Sequence, residues 1–94
     1  MNDINIGETY YIVAKERGMQ AADYFINVIL PSLPITSLSN SLNEVLEALR
    51  IKSRFSMSYA DCFAAATAIR ERAVIITGDP EFKQLEKEVE IEWI

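Results

Sequence analysis

Apolar residues recur at helical spacing through the first third of the chain. They predict one helix from Ile6 to Gly18 and a second helix from about Met19 to Leu30. Gly18 is a favourable residue for the end of the first helix, and Pro31 and Pro34 are expected to break the second helix. The side chains expected to face inward from the second helix are Ala22, Phe25, Ile26 and Ile29.

A short strand and a further helix are predicted next. The four residues Ile35–Leu38 have the pattern of a short strand. Ser41 and Glu44 form a capping-box pattern, in which a hydroxyl at the N-cap is followed three residues later by an acid. A helix is therefore expected from this point to about Lys52. Its apolar residues fall at i, i+3, i+4 and i+7, which are Leu42, Val45, Leu46 and Leu49.

The stretch from Ser58 to Pro80 is the most informative part of the pattern. Its alanine-rich first half predicts a helix that begins with a second capping-box pattern, at Ser58 and Asp61. The next apolar segment, Ala73–Ile76, has no polar alternation, which indicates a strand covered on both faces. The predicted strand ends at a Gly-Asp-Pro turn that contains Asp79.

The C-terminal residues continue the alternation of helix and strand. Pro80 suits the first position of a helix, which is predicted to run to about Lys87. Val89, Ile91 and Trp93 alternate with glutamates, as in a strand with one solvated face. This order predicts an α/β fold with a small parallel sheet of about three strands flanked by helices. A chain of 94 residues has room for one domain, residues 1–94.

Charge and composition narrow the chemistry that the chain can perform. The net charge is −5, so long-range attraction to nucleic acid would need a bridging cation. The chain has no histidine and one cysteine, which excludes histidine-dependent nucleophiles and an internal disulfide. Metal binding would therefore use oxygen ligands, which favour Mg²⁺ or Mn²⁺. We expect a cytoplasmic protein, since no signal peptide or membrane-spanning run is apparent.

Two carboxylates bracket the central helix and strand. Asp61 lies near the helix start, and Asp79 follows the strand, at the end where α/β sheets place their sites. Both acids also have structural interpretations, which stay open at this point. Asp61 would complete its capping box, and Asp79 would be the N-cap residue before Pro80. A third acid, Glu8, lies in the first turn of the first helix, where the helix dipole stabilises negative charge.

Four segments carry a family pattern when they are taken together. They are Asn5–Glu8, Ser58–Asp61, Thr77–Phe82 and Val89–Trp93. In order and spacing they resemble a PIN domain, with VapC-type toxins of prokaryotic toxin–antitoxin pairs as the most similar group. PIN domains open with a strand that ends in an Asp, and no such strand is found before Glu8. The resemblance is therefore to a PIN domain that lacks its N-terminal strand.

This resemblance implies a metal-dependent ribonuclease with a PIN-like three-layer fold. The family pattern assigns both the catalytic and the metal-binding roles to Glu8, Asp61 and Asp79, with Mg²⁺ or Mn²⁺ as cofactor. Thr77 and Ser58 fall beside these acids and are expected to support them. The resemblance also implies an RNA substrate, an antitoxin protein as partner, and a homodimer or higher oligomer with no membrane association.

Further hypotheses follow from the same residues. Lys52 and Arg54 precede the central helix and are candidates for contact with RNA phosphates, although exposed loop charge is the plainer interpretation. The missing first strand motivates an alternative function, an inactive PIN remnant that dimerises or holds an antitoxin peptide. A purely structural α/β fragment is the third hypothesis, and it predicts neither metal binding nor a partner.

Overall fold

In a computed structural model that describes residues 1–94, the chain divides into two units, Met1–Ser39 and Asn40–Ile94. Its five α-helices and two parallel strands give a helix-rich α/β fold, as the sequence predicts. The prediction of one domain over residues 1–94 stays a prediction. No helix in the chain combines the length and the apolar character needed to cross a membrane.

The N-terminal unit begins with helix α1, Asp3–Arg17. Asn2 is its N-cap, because the Asn2 side chain accepts a hydrogen bond from the Ile4 N–H at 2.9 Å. The helix ends at Gly18, which has a φ of 90° and whose N–H donates to the Ala14 carbonyl at 2.9 Å. A side chain rarely adopts this φ, so glycine is the suitable residue here.

The second predicted helix is divided into three segments. Helix α2 covers Met19–Tyr24, a π-helical turn covers Phe25–Ile29, and helix α3 covers Leu30–Ser32. The helical run ends at Ser32, between the two predicted breakers Pro31 and Pro34, although Pro31 itself lies inside α3. The π turn also changes which side chains face inward. Of the four expected, Ala22 is buried and Ile29 is 40% exposed.

The predicted strand Ile35–Leu38 is wrong. Only Leu38 pairs with another segment, through an isolated parallel bridge to Asn2. The Asp3 N–H donates to the Leu38 carbonyl, and the Leu38 N–H donates to the Met1 carbonyl, both at 2.9 Å. The pairing cannot lengthen, because the partner segment enters helix α1 at Asp3.

The C-terminal unit contains two long helices, α4 at Leu42–Arg54 and α5 at Tyr59–Glu71. The capping box predicted at Ser41 and Glu44 is confirmed, and α4 begins there. Arg70 in the last turn of α5 pairs with Glu44 at 2.7 Å, so the end of α5 lies beside the start of α4. Small side chains from α5 fill much of the core beside Phe63, namely Ala60, Cys62, Ala65, Ala66 and Ala68.

The sheet consists of β1, Ile75–Thr77, and β2, Ile91–Trp93, in parallel register with Ile75 opposite Ile91. A 3₁₀ helix at Pro80–Leu85 connects them, where the sequence predicts a short helix. The prediction that β1 is covered on both faces is wrong. Ile75 is buried, but Ile76 is 65% exposed, so one face of the strand is open to solvent.

Candidate metal centre

Three carboxylates converge in the C-terminal unit, those of Asp61, Asp79 and Glu81. One oxygen from each lies within 4.8 Å of the others, and none of the three residues is buried. Asp61 comes from the first turn of α5, whereas Asp79 and Glu81 flank the start of the 3₁₀ helix. The cluster therefore lies where a helix N-terminus meets the carboxyl end of β1.

Asp61 is positioned by the cap of helix α5. The Ser58 hydroxyl accepts a hydrogen bond from the Asp61 N–H at 3.2 Å, which makes Ser58 the N-cap. The Ser58 N–H donates to Glu81 Oε1 at 2.7 Å. In a capping box, the acid three residues after the N-cap receives this bond, but at α5 an acid from the 3₁₀ helix receives it. This hydrogen bond ties Glu81 to the start of the helix that carries Asp61.

Asp79 is positioned by a short run of hydrogen bonds after β1. Its N–H donates to Thr77 Oγ1 at 3.0 Å, and its Oδ1 accepts from the Glu81 N–H at 2.9 Å. Asp79 is thus the N-cap of the 3₁₀ helix, the structural role that the sequence also allowed. This cap uses Oδ1 of Asp79, and the hydrogen bond from the Ser58 N–H uses Oε1 of Glu81.

The supporting roles expected of Thr77 and Ser58 take a specific form. Each hydroxyl accepts a hydrogen bond from the backbone N–H of an acid, Thr77 from Asp79 and Ser58 from Asp61. The two hydroxyls therefore hold the backbone of Asp61 and Asp79 in place. Gln84 adds a further connection, because its amide binds the backbone of Ser56 in the segment before α5.

The two basic residues considered for RNA contact both have partners in the protein. Lys52 Nζ donates to the Met57 carbonyl at 2.9 Å, in the segment that leads into α5. Arg54 forms an ion pair with Glu88 at 2.8 Å, and its side chain is 60% exposed. Their contact with RNA stays a prediction.

Glu8 is an exposed residue of α1 and belongs to the N-terminal unit. Its predicted role as a ligand continues to rest on the sequence resemblance. Glu81 is the acid that sequence reasoning did not assign, although it lies inside the Thr77–Phe82 segment. Its position two residues after Asp79 was the available signal, because an N-cap side chain binds the backbone N–H two residues later, as Asp79 does here with Glu81.

The charge of the cluster indicates which ligand it suits. Three carboxylates within 4.8 Å repel one another, and a divalent cation removes that repulsion. Carboxylate oxygens are the ligands that Mg²⁺ and Mn²⁺ prefer, and Mg²⁺ commonly takes only one or two of them. Cys62, next to Asp61 in sequence, is a poor alternative ligand. It is buried, and burial raises the pKa of its thiol, which keeps it protonated.

The sequence model of the PIN domain family matches residues 1–88. The chain belongs to the PIN domain family. Comparison with curated proteins and with solved structures finds no match. Membership indicates a nuclease that acts on RNA with a divalent metal ion, and the acidic cluster of this PIN domain has ligands of the appropriate kind.

Proposed function

We propose that this PIN domain is a VapC-type ribonuclease, the toxin of a toxin–antitoxin pair, which hydrolyses RNA phosphodiesters. The observation that carries the proposal is the cluster of Asp61, Asp79 and Glu81, which supplies three oxygen ligands at one point. Mg²⁺ or Mn²⁺ would be held there. Such an ion, when bound, supplies an activated water and neutralises charge on the phosphate.

The side chains around the acidic cluster position the carboxylates for binding a cation. Ser58 and Thr77 hold the backbone of Asp61 and Asp79, so the carboxylates need little rearrangement when they receive a cation. With no histidine in the chain, the carboxylates of the cluster are the groups suited to accept a proton near neutral pH. Their combined charge opposes RNA binding until a cation is present, which couples substrate binding to metal binding.

The proposal includes a cytoplasmic location, an antitoxin protein and a homodimer or higher oligomer. Support for a protein partner comes from apolar side chains that the N-terminal unit exposes. Tyr11 is 61% exposed, Tyr24 is 57% exposed and Val28 is 49% exposed. A protein partner would remove these apolar side chains from water.

The central experiment measures cleavage of a panel of structured RNAs with Mn²⁺, with Mg²⁺ and with a chelator. Asp61→Asn and Asp79→Asn are expected to lower the cleavage rate at least a hundredfold, because each loses a charged oxygen ligand. Asp3→Asn is the matched control, since Asp3 is exposed and lies at the start of α1. Equal rates for the wild type and Asp61→Asn would remove the assignment.

A second measurement tests the metal centre without RNA. Thermal stability should rise as Mn²⁺ is added, by RT ln(1 + [L]/Kd), or about 2.7 kcal/mol at a concentration of one hundred times Kd. Glu81→Gln should weaken this response, and Glu86→Gln, an exposed residue outside the cluster, should not. A response to Mn²⁺ that is absent in the wild type, or that Asp79→Asn does not diminish, would instead favour the inactive binding module.

A further inference from the structure

Gln84 is an exposed residue whose amide nevertheless makes three hydrogen bonds to the backbone. Its Oε1 accepts from the Ser56 N–H, and its Nε2 donates to the Ser56 carbonyl, both at 3.1 Å. Nε2 also donates to the Glu81 carbonyl at 3.1 Å. The amide thus uses both of its donors and its acceptor, and only an amide offers this combination at this length.

These bonds span the two segments that bring the carboxylates together. Gln84 lies one turn after Glu81 in the 3₁₀ helix, so the two side chains leave it on the same side. Glu81 binds the backbone of Ser58, and Gln84 binds the backbone of Ser56, two residues earlier. The pair forms a two-point clamp between the 3₁₀ helix and the start of α5.

The two members of the clamp differ in what else they do. Glu81 belongs to the acidic cluster, so its carboxylate both holds Ser58 and faces a cation. Gln84 carries no charge, and its amide is engaged with the backbone of Ser56 and Glu81. Its hydrogen bonds therefore hold the junction in place when the Glu81 carboxylate adjusts to a bound ion.

We infer that Gln84 is a positioning residue for the metal centre, which fixes the distance between Asp61 and the Asp79–Glu81 pair. This inference rests on the proposed function, because it concerns the same carboxylates. Groups that orient metal ligands commonly change metal affinity by tenfold or more when they are replaced. Gln84 acts through the backbone of Ser56 and touches neither the ion nor the substrate.

The test is Mn²⁺ affinity, measured by electron paramagnetic resonance titration well below the unfolding temperature. Gln84→Met removes all three hydrogen bonds at nearly constant size and charge, and it should weaken Mn²⁺ binding on the order of tenfold. Two controls should leave the affinity unchanged. Gln20→Met makes the same replacement at an exposed residue of α2, and Ser56→Ala retains the backbone groups that Gln84 binds.

Gln84→Ala serves as the second variant if Gln84→Met does not fold. It removes all three hydrogen bonds without changing the charge near the cluster, so it should also weaken Mn²⁺ binding. Unchanged or tighter binding in Gln84→Ala would overturn the inference.

The outcomes distinguish this inference from the proposed function. If the wild type does not bind Mn²⁺, the metal centre itself is wrong, and the inference fails with it. If the wild type binds Mn²⁺ and both Gln84 variants bind it equally well, only the positioning role is wrong. A lower unfolding temperature with unchanged affinity would show that Gln84 stabilises the fold without positioning the ligands.

Discussion

Two serines with the same local sequence pattern have different partners in the structure. At Ser41 the box closes locally, since the Ser41 N–H donates to Glu44 Oε1 at 2.9 Å. At Ser58 the corresponding N–H donates to Glu81, which lies 23 residues later. The pattern therefore predicts where each helix begins, but it does not predict which acid completes the cap. Because Glu81 is the acid that binds the Ser58 N–H, it lies beside Asp61 in the cluster.

The closed box at Ser41 leads to a pH-dependent prediction. The hydrogen bond from the Ser41 N–H, its hydroxyl and the nearby Arg70 hold the pKa of Glu44 below its ordinary value. A lowered folded pKa contributes stability that is present above the unfolded pKa, about 4.3, and lost as pH falls through the folded pKa. Glu44→Gln retains hydrogen-bonding capacity but cannot ionise. The wild type should therefore be the more stable protein at neutral pH, with the difference shrinking below about pH 4.

Urea unfolding between pH 3 and pH 7 measures this difference in the free energy of unfolding. Glu86→Gln is the control, because Glu86 is an exposed glutamate that lies outside the cap of α4. A difference between wild type and Glu44→Gln that stays constant over the whole range would contradict the assigned pKa shift.

At the scale of elements, the sequence predicted most helices but not the surroundings of the strands. The apolar run Ala73–Ile76 correctly indicated a strand near its observed position at Ile75–Thr77. It did not reveal how many layers cover that strand, because an apolar run is compatible with one covered face or two. Similarly, helical spacing over Met19–Leu30 gave no sign of the π turn, which changes the hydrogen-bonding pattern without a distinctive residue type.

Alanine substitutions at the two neighbouring isoleucines of β1 test whether one face of the strand is buried and the other exposed. Ile75→Ala should destabilise the protein by about 2–5 kcal/mol, because it leaves a cavity in the core. Ile76→Ala should change stability by at most about 0.5 kcal/mol, because its side chain is already largely in water. Chemical denaturation measures both values. Equal losses at the two positions would mean that both faces are covered after all.

At the scale of the whole molecule, the fold class was predictable because the order of helices and strands fixes it. The meeting of Asp61 and Asp79 was also expected, since Asp61 lies at the start of α5 and Asp79 follows β1, the strand after that helix. The place of Glu81 was not, because it depends on the hydrogen bond from Ser58 across the chain. Such long-range contacts leave no periodic signal in the sequence. The hydrogen bonds of Gln84 to Ser56 could not be predicted for the same reason.

Because Cys62 is buried, the reactivity of its thiol reports how often helix α5 separates from the core. It is the single cysteine of the chain, its side chain is fully buried, and it follows Asp61 in the first turn of α5. A thiol reagent should therefore modify it only during excursions in which α5 leaves the core. The modification rate should rise steeply in urea. Added Mn²⁺ should lower the rate by a factor of 1 + [Mn²⁺]/Kd. A native protein that reacts as fast as a small free thiol would contradict this, whereas slow labelling would allow cation binding to be followed without an added fluorophore.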